Sequence, residues 1–135
     1  MDREELKART RQFALDVIDI SMALGHDDFA EVARPQLLRA GTGVAANYRA
    51  ACRGRSDREF ASRLATVVEE ADESELWLDF IMERGYGQRR VVAEARAEAV
   101  ELRAILSRSR ATTLRRLQDR RHRPPGPEAR GNQNP

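Results

Sequence analysis

Six carboxylates crowd one short stretch of the chain: Glu69, Glu70, Asp72, Glu73, Glu75 and Asp79. On facing bundle helices, inward Glu and Glu-x-x-His sets can hold a metal pair. Here the acids fall mostly on one outer face, and neither His26 nor His122 sits in a helical repeat, so a solvated or ion-paired face is expected and no metal. Cys52 lies among Arg49, Arg53 and Arg55, which would favour a thiolate. No histidine base is near in sequence, so a small packed cysteine is the better reading. Gly41-Thr42-Gly43 has neither the preceding strand nor the following Lys-Ser/Thr of a phosphate loop, and predicts close helix packing instead. Asn47 is expected to lean inward and to cap or bridge a neighbouring helix. His26-Asp27-Asp28 reads as a loop with a helix cap. None of these sets composes a catalytic apparatus, and neither an enzyme nor a cofactor is expected.

Arginine is the remaining chemistry. Only one of the 24 bases is lysine, and guanidinium groups offer forked donors suited to phosphate. The charges segregate along the chain. Residues 1–38 carry five bases and eight acids, 39–63 six and two, 64–87 one and seven, and 88–123 eleven and four. Arg49, Arg53, Arg55 and Arg58 form one basic run; Arg103, Arg108, Arg110, Arg115, Arg116, Arg120, Arg121 and Arg123 form another. No base-reading motif accompanies them. They suit a polyanion held by its phosphates.

What must position these residues is helical. Aromatics make up 5% of the 135 residues, and Ala, Leu, Arg and Glu dominate. Leu6, Phe13, Val17, Ile20 and Leu24 recur with helical period from Arg3 to Leu24, with polar Thr10 in the gap. Asp28-Phe29-Ala30-Glu31 reads as a capping box opening one short turn. Pro35 suits a first turn, so the second helix is placed from Pro35 to about Gly54, on Leu37, Leu38, Val44, Ala45, Tyr48 and Cys52. Ser56-Asp57-Arg58-Glu59 caps a third helix, Asp57 to Arg84, whose Phe60, Leu64, Val67, Ala71, Ser74, Leu78 and Ile81 alternate spacings of four and three without a break. A fourth runs from Gln88 to Leu117 on Val92, Ala95, Ala99, Leu102 and Leu106.

Four long helices and short loops predict an all-α, antiparallel up-down-up-down four-helix bundle over residues 1–118. Residues 119–135, basic and then Pro-rich, predict a disordered tail. In such a bundle the ends of the second and fourth helices share one pole, so Arg49, Arg53, Arg55 and Arg58 should merge with Arg108, Arg110, Arg115, Arg116, Arg120 and Arg121 into a nucleic-acid-binding patch. Two helices carry apolar residues beyond the core seam: Leu15, Ile18 and Met22 on the first, and Leu76 and Phe80, flanked by Trp77, on the third. Such a surplus predicts self-association. Glu69, Asp72 and Glu73 beside it offer a second surface, for a basic partner. No apolar run reaches the roughly 18 residues of a membrane span. The lone cysteine suits a reducing cytoplasm.

The stretch Leu38-Arg39-Ala40-Gly41-Thr42-Gly43-Val44-Ala45-Ala46-Asn47-Tyr48-Arg49 resembles the R-(A/S)-(G/A)-x-S-(V/I)-x-x-N-(Y/I) signature of a bacterial four-helix-bundle family, also called the intervening-sequence protein of large ribosomal RNA. Arg55-Ser56-Asp57-Arg58-Glu59-Phe60 is similar to its (R/K)-S-x-x-E-F segment, and Glu69-Glu70-Ala71-Asp72-Glu73-Ser74 with Trp77-Leu78 to its E-E-A-D-E-(S/T)-x-x-W-L segment. The resemblance spans roughly residues 10–110. Gly43 stands where the family usually has Ser, and Ala50 where it usually has Glu. The resemblance implies homo-pentamers and, for a related branch that serves diversity-generating retroelements, an accessory role on a reverse transcriptase and its RNA.

Overall fold

The computed structural model describes residues 1–122 and Gly126, in four helices: α1 (Arg3–Met22), α2 (Asp28–Cys52), α3 (Asp57–Glu83) and α4 (Arg89–Arg121). There is no strand among the described residues. Three helices start where a side chain replaces the missing backbone partner of a first-turn N–H. Asp2 accepts from the Glu5 N–H at 2.8 Å and Asp27 from Ala30 at 2.8 Å. Ser56 accepts from Glu59 at 3.1 Å, while the Glu59 carboxylate reaches back to the Arg55 N–H, also at 3.1 Å. α3 ends as a Schellman turn: Tyr86 N–H donates to the Ile81 carbonyl and Gly85 N–H to Met82, with Gly85 at φ +74°.

The seams read from sequence are the core. Phe60, Leu64, Val67, Ala71, Ser74, Leu78 and Ile81 of α3 are all buried, as are Val92, Ala95, Ala99, Leu102 and Leu106 of α4. On α1, Leu6, Phe13, Val17 and Ile20 are buried together with Thr10, whose hydroxyl donates to the Leu6 carbonyl at 2.9 Å. Each fully buried large apolar side chain contributes about 1.5–3 kcal/mol of transfer free energy. On α2, Leu37, Val44 and Tyr48 are buried, while Leu38, Ala45 and Cys52 are only half-buried. Gly41 marks a close approach of α2 to α1: a Cβ there would lie 2.4 Å from Val17 Cγ1.

The helices run antiparallel in ring order. Cross-links from α3 to α4 fix that register: Asp57 with Arg120, the Ala61 carbonyl with Arg110, Glu75 with Arg103 and Asp79 with Arg96. α1 closes the ring on α4 through Arg9, whose guanidinium holds Glu98 at 2.6 Å and Glu101 at 3.0 Å. This closing seam is the sparsest of the four.

Several boundaries differ from the sequence reading. α2 starts at Asp28 instead of Pro35 and carries Pro35 inside it. The proline ring points to solvent, so the carbonyl of Glu31 that it strips of a partner can be hydrated, and the Asp27 cap holds the earlier turn in register. α1 ends at Met22, two residues short of Leu24, with Gly25 beyond it at φ +83°. α2 ends at Cys52 and α3 at Glu83. α4 runs to Arg121, so Asp119, Arg120 and Arg121 are helical, where a disordered tail was expected from residue 119. Most of that tail, residues 123–125 and 127–135, lies outside the described residues.

Candidate nucleic-acid interface

Chain direction decides where the charge goes. The N-termini of α1 and α3 and the C-termini of α2 and α4 share one pole. There residues 1–7, 49–63 and 108–122 bring thirteen bases together with six acids. At the opposite pole, residues 19–34 and 79–94 bring four bases and seven acids. The rod therefore has unlike ends, and the two basic runs of the sequence do merge.

Within the basic pole the arginines divide by engagement. Arg120 holds Asp57 at 2.9 Å and Arg116 approaches it at 3.9 Å. Arg110 is half-buried, its Nε donating to the Ala61 carbonyl at 3.3 Å. These three fasten α4 to α3. Arg49, Arg53, Arg55, Arg58, Arg108, Arg115 and Arg121 are exposed, and their side chains make no ion pair among the described residues. Arg103 was read as part of the basic run, yet it sits mid-rod, tied to Glu75 at 2.9 Å and to Asp72 at 3.8 Å.

A cleft of about 500 Å³ opens at this pole along the sparse α1–α4 seam. Arg3, Arg9, Arg108 and Arg116 stand around it, with Ser109 and Thr112 between them and Tyr48 and Phe60 beneath. The Arg3 guanidinium lies 4.0 Å above the Phe60 ring, a cation–π contact that fixes it at the rim. Glu98 and then Glu101 raise the pKa of Arg9, so that base stays charged and internally neutralised. Burial pushes the Tyr48 phenol well above its ordinary value, and the neighbouring Cys52 thiol adds to the shift. Tyr48 is thus a neutral core group, and Cys52 is half-buried against the same core. The cleft escaped the sequence reading because α1 and α4 are far apart in the chain. α4 has 33 residues against 20 in α1, and the pairing of Arg9 with Glu98 places the surplus at this end.

The surplus apolar residues lie outside the core. Leu76 is 48% and Phe80 40% exposed; Leu15 and Met22 are also exposed, and Ile18 and Trp77 are half-buried. Trp77 and Phe80 meet edge to face with centroids 5.6 Å apart. The acids beside them were expected on a solvated or ion-paired face, and Asp72, Glu75 and Asp79 pair with Arg103 and Arg96 of α4. The antiparallel register sets those rows against each other on the α3–α4 seam. Glu69 and Glu73 remain exposed and unpaired among the described residues. Glu70 turns toward α2 beside Gly43, and burial, with Glu73 nearby, raises its pKa. Asn47 is half-buried, and its amide makes no hydrogen bond among the described residues, so the expected cap or bridge is absent. No group of His, Cys, Asp or Glu that could hold a metal ion occurs among the described residues. No described helix is long and apolar enough to cross a membrane.

A family model described as "23S rRNA-intervening sequence protein" matches residues 4–108. A solved structure from Bacteroides thetaiotaomicron, described as a protein of unknown function from the S23 ribosomal protein family, is similar at 25% identity with a TM-score of 0.74. The similarity covers 82% of this chain and 99% of that one. No curated protein matches the chain.

Proposed function

The chain belongs to the 23S rRNA-intervening sequence protein family, and from that premise we propose that it is a non-enzymatic, self-associating helical bundle of the cytoplasm that binds structured RNA through its basic pole. One observation carries this reading: seven exposed arginines without internal ion pairs gather at one end of a rod whose other end is acidic. Salt bridges within the fold leave those seven free to meet phosphate. Ring assembly would repeat the patch and multiply its avidity. Anisotropy of a labelled, folded RNA across a salt series tests the reading. Binding that weakens by about one log unit per phosphate contact for each tenfold rise in salt is expected. An absence of binding at low salt ends it.

Self-association is the second part of the proposal, and the exposed Leu76 and Phe80 beside Trp77 support it. Replacing both Leu76 and Phe80 with Glu should shift light scattering from an oligomer to a 15.3 kDa monomer while the helical content stays. Wild-type protein that is already monomeric at micromolar concentration would remove this part.

A different reading is favoured by the two free acids. Glu69 and Glu73, next to that apolar stripe, could dock a basic protein, such as a reverse transcriptase of the kind the sequence resemblance implies. Charge reversal of both acids should abolish capture of such a partner and leave RNA affinity intact. The reverse pattern favours the RNA reading.

A further inference from the structure

Most of the free guanidinium groups lie at the pole opposite the phenyl, phenol and indole rings that reach the surface; Arg84 and Arg89, also exposed and without an ion pair among the described residues, flank Tyr86 at the acidic pole. At the basic pole the rings of that kind are Tyr48 and Phe60, 1% and 4% exposed, and Phe60 is covered by Arg3. Elsewhere Phe80 is exposed, and Phe29, Trp77 and Tyr86 are half-buried. They occupy the first turn of α2, the last turns of α3 and the α3–α4 loop, all toward the acidic pole. Single-stranded nucleic acid is held by bases stacked on aromatic faces beside a basic track. The basic pole supplies the track with a single exposed ring, the His122 imidazole at the end of α4. It also supplies hydroxyl groups. The segment Ser107-Arg108-Ser109-Arg110-Ala111-Thr112-Thr113 interleaves them with arginines, and Ser107, Arg108 and Thr112 are exposed, with Arg115 one turn on. Thr112 and Ser109 line the cleft. Exposed hydroxyls between guanidinium groups suit a sugar–phosphate backbone that carries 2′-hydroxyls.

From this separation we infer that the basic pole takes the backbone of double-helical RNA, read by shape and 2′-hydroxyl contacts, and does not take single strands by base stacking. The inference rests on the RNA-binding reading above and narrows it. Duplex recognition of this kind needs phosphate and 2′-hydroxyl contacts across a groove and no access to base faces. Ser107 and Thr112 are the groups that would tell RNA from DNA; Arg108 and Arg115 supply charge to either.

The test uses the full chain and three labelled probes of equal phosphate count: an RNA hairpin with a stem of about 20 base pairs, an unstructured single-stranded RNA, and the matching DNA duplex. At one salt concentration the hairpin should bind at least about tenfold tighter than the single strand, which lacks the fixed groove geometry, and tighter than the DNA. The Ser107→Ala, Thr112→Val double variant should lose most of the preference for RNA over DNA duplex while its salt slope stays unchanged. Single-stranded RNA bound as well as the hairpin, or better, overturns the duplex assignment and leaves RNA binding standing. RNA and DNA duplexes bound equally by the wild-type chain overturn the hydroxyl assignment. No binding of any probe at low salt overturns the RNA-binding proposal itself.

Discussion

Replacing Arg53, Arg58, Arg108 and Arg115 together with Gln should lower RNA affinity on the order of a thousandfold near 0.1 M salt and reduce the log–log salt slope by about 3.5, at roughly 0.9 per phosphate contact. None of the four makes an ion pair among the described residues, and all are exposed. Stability should therefore hold, since surface substitutions of this kind usually fall within about 0.5 kcal/mol. The control, compared per charge removed, is Arg96→Gln with Arg103→Gln. Both of these arginines are occupied by carboxylates of α3, Arg96 by Asp79 and Arg103 by Glu75. They lie away from the basic pole and should leave the slope unchanged. Equal losses from both sets would mean that general charge, rather than the pole, governs binding. Anisotropy titrations at four or more salt concentrations make the comparison directly.

The second large effect concerns stability. Gly41→Ala should lower it by about 2 kcal/mol, the cost of overpacking a stiff site less the roughly 1 kcal/mol gained in helix propensity. An added Cβ at 41 would lie 2.4 Å from Val17 Cγ1 and 2.8 Å from Val17 Cβ. Valine has no flexible end to swing aside, and it is fully buried, so α1 and α2 themselves must part. The same change two residues on should act oppositely. A Cβ at Gly43 meets only the Glu70 side chain, its carboxylate at 3.1 Å and its Cγ at 3.4 Å, and that unbranched chain can move, so Gly43→Ala should stabilise by about 0.5–1 kcal/mol. Denaturant melts of the two variants give opposite signs. Adding Val17→Ala to Gly41→Ala should recover part of the loss, with a favourable coupling in the double-mutant cycle. If Gly41→Ala is neutral, the close crossing at Val17 is not what holds glycine there.

How far the sequence foretold this molecule depends on which physical signal each feature needed. The α3 seam was legible because Phe60 to Ile81 never breaks its four–three alternation, and every one of those residues is buried. The pole followed from helix direction alone, since up-down order forces the α2 and α4 ends together. Pro35 misled because a rule about helix interiors assumes a buried or unhydrated carbonyl, and this proline faces solvent. That the acids of α3 pair with α4 was not legible, because intra-helix spacing says nothing about which neighbour presents arginines at the same height. Arg110, Arg116 and Arg120 looked equivalent to Arg108 in sequence. Only packing shows that Ala61 and Asp57 engage them. The α1–α4 cleft required a pairing of chain segments about a hundred residues apart, which no local pattern contains.

The unlike ends of the rod have a kinetic consequence. A body whose two tips carry opposite sign feels a torque in the field of an approaching polyanion, and turns before it touches. Productive encounters are then selected by orientation during diffusion. Association should slow steeply as ions are added, whereas the lifetime of the docked state, set by short-range contacts, should change far less.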